Sequence, residues 1–383
     1  MSTPEADPLL DKLVGDFGGN YVFAVDLLDQ YRQDPEAVDP SWRRYFDEAL
    51  GVPPEAEATP VTVIVNEAPA PPESPPATPA PADDRPTLAR SGLPVAPSGG
   101  RSKAVVPASI LPGDILQPIR GGAIRLVENM EASLTVPTAS SSRTMPVRTV
   151  EENRRLLNKH RQSSGQGKVS FTHIVAWAVL RALDTFPRLN DAYAVVEGAA
   201  HRIQRDQVRL GVAVDVQRKD GSRTLLVPNI KDAGKMDFAE LVAAFDDLVA
   251  RSRKGAISPD DFMGTTVSLT NPGTVGTTAS APRLMPGQGL IVATGALDYP
   301  AEYRSMAPRT LGLLGISMVM TVTSTYDHRI IQGAESGLFL SRVEDLLKGE
   351  DGFYERLFQD LGLPHRPVRW EVDSQPALLG GPG

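Results

Sequence analysis

Between Gly51 and Ser109 the chain is built largely from proline, alanine and glutamate, as in Ala68-Pro69-Ala70-Pro71-Pro72-Glu73-Ser74-Pro75-Pro76. Such a run cannot bury enough apolar surface to offset the entropy of ordering, so it reads as an extended, semi-rigid tether. It divides 383 residues into a short N-terminal piece and a long C-terminal one. Val61-Thr62-Val63-Ile64-Val65 is a β-like island inside it.

The N-terminal piece, 1–50, carries a helical pattern: Leu9, Leu13 and Phe17, then Tyr21, Val22, Val25, Leu27, Leu28 and Tyr31. Asp34-Pro35 breaks the pattern, and Trp42, Tyr45, Phe46 and Leu50 resume it. This predicts a short helical hairpin. Its apolar stripe is too small to hold a fold alone, so it is expected to dock on a partner or on another part of a longer polypeptide.

Several function classes drop out on composition. The chain has no cysteine, which removes disulfides, thiolate metal sites and cysteine nucleophiles. A formal charge of −8 argues against general binding to a nucleic-acid backbone. The acidic start, Met1 to Asp7, lacks a secretory signal, and no segment supplies the ~20 apolar residues of a membrane helix. The expectation is a soluble, cytoplasmic protein without a bound metal.

Residues 110–365 alternate helical and strand periodicity, which predicts an α/β or α+β domain with helices packed on a mixed sheet. Helices are expected over 124–134, 171–186 and 335–347, and strands over 193–196, 265–270, 289–296 and 315–325. Val208, Leu210, Val212, Val214 and Val216 alternate strictly, as one buried face of a single strand would. Asp237 with Glu240 forms a capping-box pattern before another helix, and Asn271-Pro272-Gly273 stops the strand before it. An extended segment is expected over 137–150, and 366–383 is a tail.

Of five histidines, His160 and His201 lie in polar stretches, His173 starts a helix and His365 is near the tail. Only His328 stands at the end of a long apolar strand, in Tyr326-Asp327-His328-Arg329. A histidine held in an ion-pair corner would share that pattern, so the triplet alone does not separate catalysis from structure.

The wider pattern does more. Pro118-Ile119-Arg120-Gly121, Asn129-Met130-Glu131-Ala132-Ser133 with Val136-Pro137-Thr138, Phe186-Pro187-Arg188-Leu189-Asn190, Ser268-Leu269-Thr270-Asn271-Pro272-Gly273 and Tyr326-Asp327-His328-Arg329 occur in this order. Together they resemble the catalytic domain of the dihydrolipoyl acyltransferases of 2-oxo acid dehydrogenase complexes, a family with a chloramphenicol acetyltransferase-like fold. The resemblance is nearest to the N-terminal part of the multifunctional actinobacterial 2-oxoglutarate dehydrogenases. There Asp34-Pro35-Glu36-Ala37-Val38-Asp39-Pro40-Ser41-Trp42 looks like the dehydrogenase N-terminus, and Leu363-Pro364-His365-Arg366-Pro367-Val368-Arg369-Trp370 like the start of a dehydrogenase part. No Gly-Asp-Gly thiamine-diphosphate motif follows, so the chain reads as a fragment, a split version or a standalone derivative.

The resemblance implies transfer of an acyl group, succinyl in this subfamily, between dihydrolipoamide and coenzyme A within the tricarboxylic acid cycle. It implies His328 as general base, Thr270 as the hydroxyl facing the oxyanion, and Asp327 with Arg329 as an ion pair holding the loop. Gln332 departs from the pattern, because the family places Asp or Asn four residues after the histidine; an amide can hydrogen-bond there but carries no charge. Arg143 is the candidate partner for a succinyl carboxylate.

The tether is too proline-rich for a lipoyl domain, so dihydrolipoamide is expected in trans from the lipoylated acyltransferase of a 2-oxo acid dehydrogenase complex. A thiamine-dependent 2-oxoglutarate dehydrogenase part or subunit is the other expected partner. Thiamine diphosphate and Mg would bind only there. By resemblance the chain forms a homotrimer with active sites shared between subunits. The competing readings are a catalytically silent trimeric scaffold that recruits a dehydrogenase, and an acetyl or other short-acyl transferase.

Overall fold

A computed structural model describes residues 8–17, 20–51, 110–119, 122–217 and 223–369. The β-like island at Val61-Thr62-Val63-Ile64-Val65 and nearly all of the tether lie outside the described residues. The described residues from 8 to 51 and from 119 to 369 belong to one compact unit, and 110–118 lie outside it.

The elements of the larger unit are, in order, helices α1 (Pro8–Phe17), α2 (Tyr21–Gln33), α3 (Pro40–Leu50) and α4 (Gly122–Ser133), strand β1 (Thr138–Pro146), and helices α5 (Arg148–Ser163) and α6 (Phe171–Thr185). Then come β2 (Ala192–Val196), β3 (Ala199–Ile203), β4 (Leu210–Val212), β5 (Val214–Gln217), β6 (Arg223–Leu226), β7 (Asn229–Ile230), α7 (Phe238–Lys254), β8 (Val267–Thr270) and β9 (Leu290–Thr294). Helix α8 (Pro308–Leu313), β10 (Val319–Asp327), α9 (Gly333–Lys348) and α10 (Phe353–Asp360) complete the set. Among the described residues, no helix is long and apolar enough to cross a membrane.

Six strands form one mixed sheet in the order β1-β10-β9-β8-β4-β7, with β4, β8 and β9 mutually parallel and the other pairs antiparallel. Helix α9 packs on β1 and β10, and α6 lies against α9 and α7. Helix α6 is apolar nearly all round, and its residues from His173 to Leu180 are buried, as expected of a helix with neighbours on every side. On the opposite face of the β1–β10 pair, hydroxyls share hydrogen bonds across the ladder: Ser140 with Thr325 at 2.8 Å, Ser142 with Thr323 at 2.9 Å and Thr144 with Thr321 at 3.1 Å. The alternation of β1 puts Arg143 and Met145 on the helix-covered face instead.

The Asp237–Glu240 capping box forms in both directions, at 2.8 and 2.9 Å, and opens α7. The run from Val208 to Val216 differs from the single strand expected. The chain breaks at Ala213, whose N–H donates to Leu269 O, so β4 joins the large sheet while β5 pairs with β6 in a separate hairpin. Three further helices, α5, α8 and α10, are not among those expected, although α10 carries the helical stripe Phe353, Tyr354, Leu357 and Phe358. In α5 the buried stripe is only Thr149, Val150, Asn153 and Leu157, two of them polar.

The N-terminal piece is three helices rather than a hairpin, and it docks on the same body. Trp42 is buried and its indole N–H donates to Ile257 O at 2.7 Å. Asn20 meets the Val227 backbone in both directions, Nδ2 to O at 3.0 Å and N to Oδ1 at 2.8 Å. Phe23 stacks near Phe262, and Trp42 lies within an aromatic cluster with Phe17, Tyr45 and Phe46. Burial of each such aromatic contributes on the order of 2 kcal/mol. A second asparagine acts likewise at the far end, where buried Asn153 pairs in both directions with the Val368 backbone, at 2.7 and 2.8 Å.

Candidate active site

The end of β10 presents a tight turn. Ile330 and Ile331 N–H groups both donate to Asp327 O, at 3.2 and 3.0 Å, which curls the chain back towards the start of α9. Asp327 is buried, and its own N–H donates to Gly289 O at 3.2 Å. Its carboxylate accepts from Arg329 three times: from the backbone N–H at 3.0 Å, Nε at 2.9 Å and Nη2 at 2.7 Å. Hydrogen bonding to that carboxylate raises the Arg329 pKa, so the guanidinium stays charged. These two residues are a structural pair that braces the turn.

His328 lies between them and is exposed. Its N–H donates to Pro137 O at 2.9 Å. Ring Nδ1 lies 3.0 Å from Ile331 O. A carbonyl can only accept, so Nδ1 carries a proton, and in the neutral ring Nε2 keeps its lone pair. The ring meets Tyr326 edge to face, with centroids 5.6 Å apart. Arg188 also braces the turn, donating to Ile330 O at 3.3 Å and pairing with Glu335 at 3.5 Å. Gln332 stands at the N-cap of α9, and its N–H donates to Glu335 Oε2 at 3.4 Å.

Thr270 ends β8, half-buried, just before the Asn271-Pro272-Gly273 turn. It is level with Ala293 on β9, which is level with Thr323 on β10. His328 lies five residues further along, towards the other end of the sheet. With strands about 4.8 Å apart and about 3.3 Å of rise per residue, Thr270 and His328 of one subunit are roughly 15–20 Å apart. The structure therefore does not bring them together within a single chain.

Arg143, level with Val322 on the helix-covered face, forms an ion pair with Glu344 of α9. Burial opposes ionisation of Glu344, but hydrogen bonds from Lys348 and Arg143 hold its carboxyl below the ordinary value. Arg143 is thus remote from His328, and its register puts it on the face opposite Thr270.

Sequence reasoning did not find Arg188, the Ile331 carbonyl or the contact of Tyr193 with Arg329, whose guanidinium carbon lies 3.8 Å from the ring centroid. Arg188 did stand inside the quoted Phe186-to-Asn190 block, which was its one signal. A cleft of about 230 Å³ opens near this end of the sheet, between Asp16, Phe17 and Asn20 on one side and the 285–288 loop on the other. Among the described residues no three His, Asp or Glu side chains converge as a metal site.

The family model for the 2-oxoacid dehydrogenases acyltransferase (catalytic domain) matches residues 113–353, and that for the 2-oxoglutarate dehydrogenase N-terminus matches 17–50. A multifunctional 2-oxoglutarate metabolism enzyme of Mycolicibacterium vanbaalenii is 40% identical over 380 residues, which is 94% of this chain and 30% of that protein. The 2-oxoglutarate dehydrogenase E1/E2 component of Corynebacterium glutamicum is 41% identical over 358 residues, 93% of this chain and 29% of that one. The chain thus spans about 30% of the length of these curated relatives.

Among solved structures, the Azotobacter vinelandii dihydrolipoamide acetyltransferase (E2p) aligns with a TM-score of 0.53 at 23% identity, over 63% of this chain and 96% of that one. A serine, a histidine and an asparagine have been investigated in its mechanism. A truncated 2-oxoacid dehydrogenase catalytic core from Thermoplasma acidophilum aligns at 0.51 and 22% identity, over 62% and 99%. At these identities the likeness is one of fold.

Proposed function

Because the chain belongs to the acyltransferase family of the 2-oxoacid dehydrogenases, we propose that it moves a succinyl group between dihydrolipoamide on a partner protein and coenzyme A, with His328 as general base and Thr270 as the oxyanion donor. The observation that carries the reading is the bond from His328 Nδ1 to Ile331 O, which in the neutral ring leaves the lone pair on Nε2 of an exposed side chain.

A free thiol has a pKa of about 8.5, so at neutral pH only a few per cent is thiolate. Nε2 relieves that shortage by taking the coenzyme A thiol proton as the sulfur attacks the carbonyl carbon of the succinyl thioester. The carbonyl oxygen becomes an oxyanion, which accepts a hydrogen bond from the Thr270 hydroxyl; one such donor is typically worth about 3–4 kcal/mol in the barrier. As the intermediate collapses, the dihydrolipoyl sulfur leaves and receives the proton from Nε2. Asp327 and Arg329 take no part in bond making and keep the imidazole in place.

The distance between Thr270 and His328 within one chain supports a site shared between subunits of a homotrimer. Gln332 stands four residues after His328, the spacing that separates the histidine and asparagine investigated in the Azotobacter enzyme. Its amide is proposed to orient rather than to charge the site. Arg143, held by Glu344 on the face opposite Thr270, is not proposed for the distal carboxylate of succinyl.

The names of the longer relatives support a 2-oxoglutarate dehydrogenase part or subunit as partner; by the family resemblance that part is thiamine-dependent, with thiamine diphosphate and Mg confined to it. The lipoyl arm comes in trans, from the lipoylated acyltransferase of a 2-oxo acid dehydrogenase complex. A cytoplasmic setting fits these partners.

The test is release of coenzyme A thiol from succinyl-coenzyme A with dihydrolipoamide as acceptor, run beside His328→Ala. Equal rates would leave a scaffold without catalysis, and faster turnover of acetyl-coenzyme A would make this a short-acyl transferase.

A further inference from the structure

We propose that Tyr193 is a positioning residue for this reaction, its ring holding Arg329 and through it the turn that carries His328; the proposal rests on the reading of His328 as the base. The guanidinium of Arg329 is fixed twice over. Its edge is forked onto the Asp327 carboxylate, and its face lies on the Tyr193 ring with 3.8 Å from Cζ to the centroid. The fork holds the nitrogens of the group, and the ring holds its carbon at a fixed distance. The Arg329 backbone N–H is bonded to the same carboxylate, so movement of the side chain passes directly into the peptide that follows His328.

Tyr193 is well founded for that task. It sits on β2 immediately after the short 3-10 turn Pro187–Asn190, whose Arg188 reaches Ile330 O. The same segment packs backbone to backbone on Gly289, where a Cβ would collide with the carbonyl oxygens of Leu189 and Asp191. Gly289 O in turn accepts from Asp327 N. Residues 187–193 therefore grip the turn at three points, and removing the ring leaves two of them to maintain the fold.

The experiment compares Tyr193→Phe, Tyr193→Trp and Tyr193→Leu in the full chain. The aromatic variants are expected within about twofold of the parent. The leucine variant should lose about tenfold in kcat with KM for coenzyme A nearly unchanged, because the base is displaced while the groups that bind the substrate stay where they are. A readout independent of turnover is the imidazole nitrogen spectrum of the five histidines. His328 should report a proton on Nδ1 in the parent and the Phe variant, and should drift towards protonation on Nε2 in Tyr193→Leu. An unchanged His328 tautomer in Tyr193→Leu, or a Phe variant as impaired as the Leu variant, overturns the proposal. Failure of the base reading shows separately, as full activity in His328→Ala.

Discussion

His328 Nδ1 donates to the carbonyl of Ile331, three residues along the same turn, at 3.0 Å. The bond selects the tautomer without a carboxylate, so in the neutral ring Nε2 is the acceptor. Replacing His328 with alanine should cut thiol-dependent succinyl transfer by about 10²–10⁴-fold while sedimentation stays that of the parent. The thiol-release assay beside sedimentation checks both parts, and a drop of less than about tenfold would remove the imidazole from the mechanism.

Thr270 and His328 lie towards opposite ends of the sheet, so the shared-site reading makes a genetic prediction. Thr270→Ala and His328→Ala chains should each be nearly inactive alone. Unfolded together and reassembled at equal amounts, they should recover activity at roughly a quarter of the sites, where an intact threonine meets an intact histidine across a subunit boundary. Recovery no greater than the sum of the two parents would mean that each chain builds its own site.

Arg143 shares its charge with Glu344, which also holds Lys348 at 2.6 Å. Arg143→Ala should therefore leave the ratio of succinyl to acetyl transfer unchanged, with a stability change under about 1 kcal/mol because the pair is partly exposed. Selective loss of succinyl transfer would instead bring Arg143 into the acyl pocket.

Trp42 fills the contact between the N-terminal helices and the body, and its indole N–H satisfies Ile257 O. Trp42→Ala should destabilise that contact by about 3–5 kcal/mol. Limited proteolysis should then cut within residues 8–51 well before the acyltransferase body. Coincident loss of both parts would show a single cooperative unit.

His173 gives a pH dependence with a defined sign. Burial lowers its pKa, opposed by Asp246, and its Nδ1 accepts from Ser170 N–H at 3.3 Å, which a protonated ring could not do. Between the folded value and the unfolded value of about 6.5 the unfolded chain binds more protons. This contribution to stability is thus complete above about pH 6.5 and declines as pH falls through the folded pKa. His173→Gln keeps the capping geometry and should flatten the loss between pH 7.5 and 5 in denaturant titrations. An identical pH slope in both chains would exclude His173 as its source.

How much was legible follows from what each feature depends on. The capping box at Asp237, the turn at Asn271-Pro272-Gly273 and the end of β10 are written in neighbouring residues, and the structure has them where those residues stand. Helix α5 was not legible, because its buried face includes Thr149 and Asn153 and breaks the apolar period. The break at Ala213 was hidden because β4 and β5 keep one alternation across two sheets. Strand register set the separation of Thr270 from His328, and no local pattern encodes register between strands distant in sequence. Tyr193 looked like an ordinary strand residue until the turn carrying Arg329 was folded against it.

The docking of α1–α3 also turns the stretch between residues 53 and 119 into a closed span, since both of its ends belong to one body. The cost of closing a chain segment grows only logarithmically with its length, by about 0.6 kcal/mol per doubling. Insertions and deletions there should scarcely loosen the N-terminal helices, so this span can change length while Asn20 and Trp42 keep their grip.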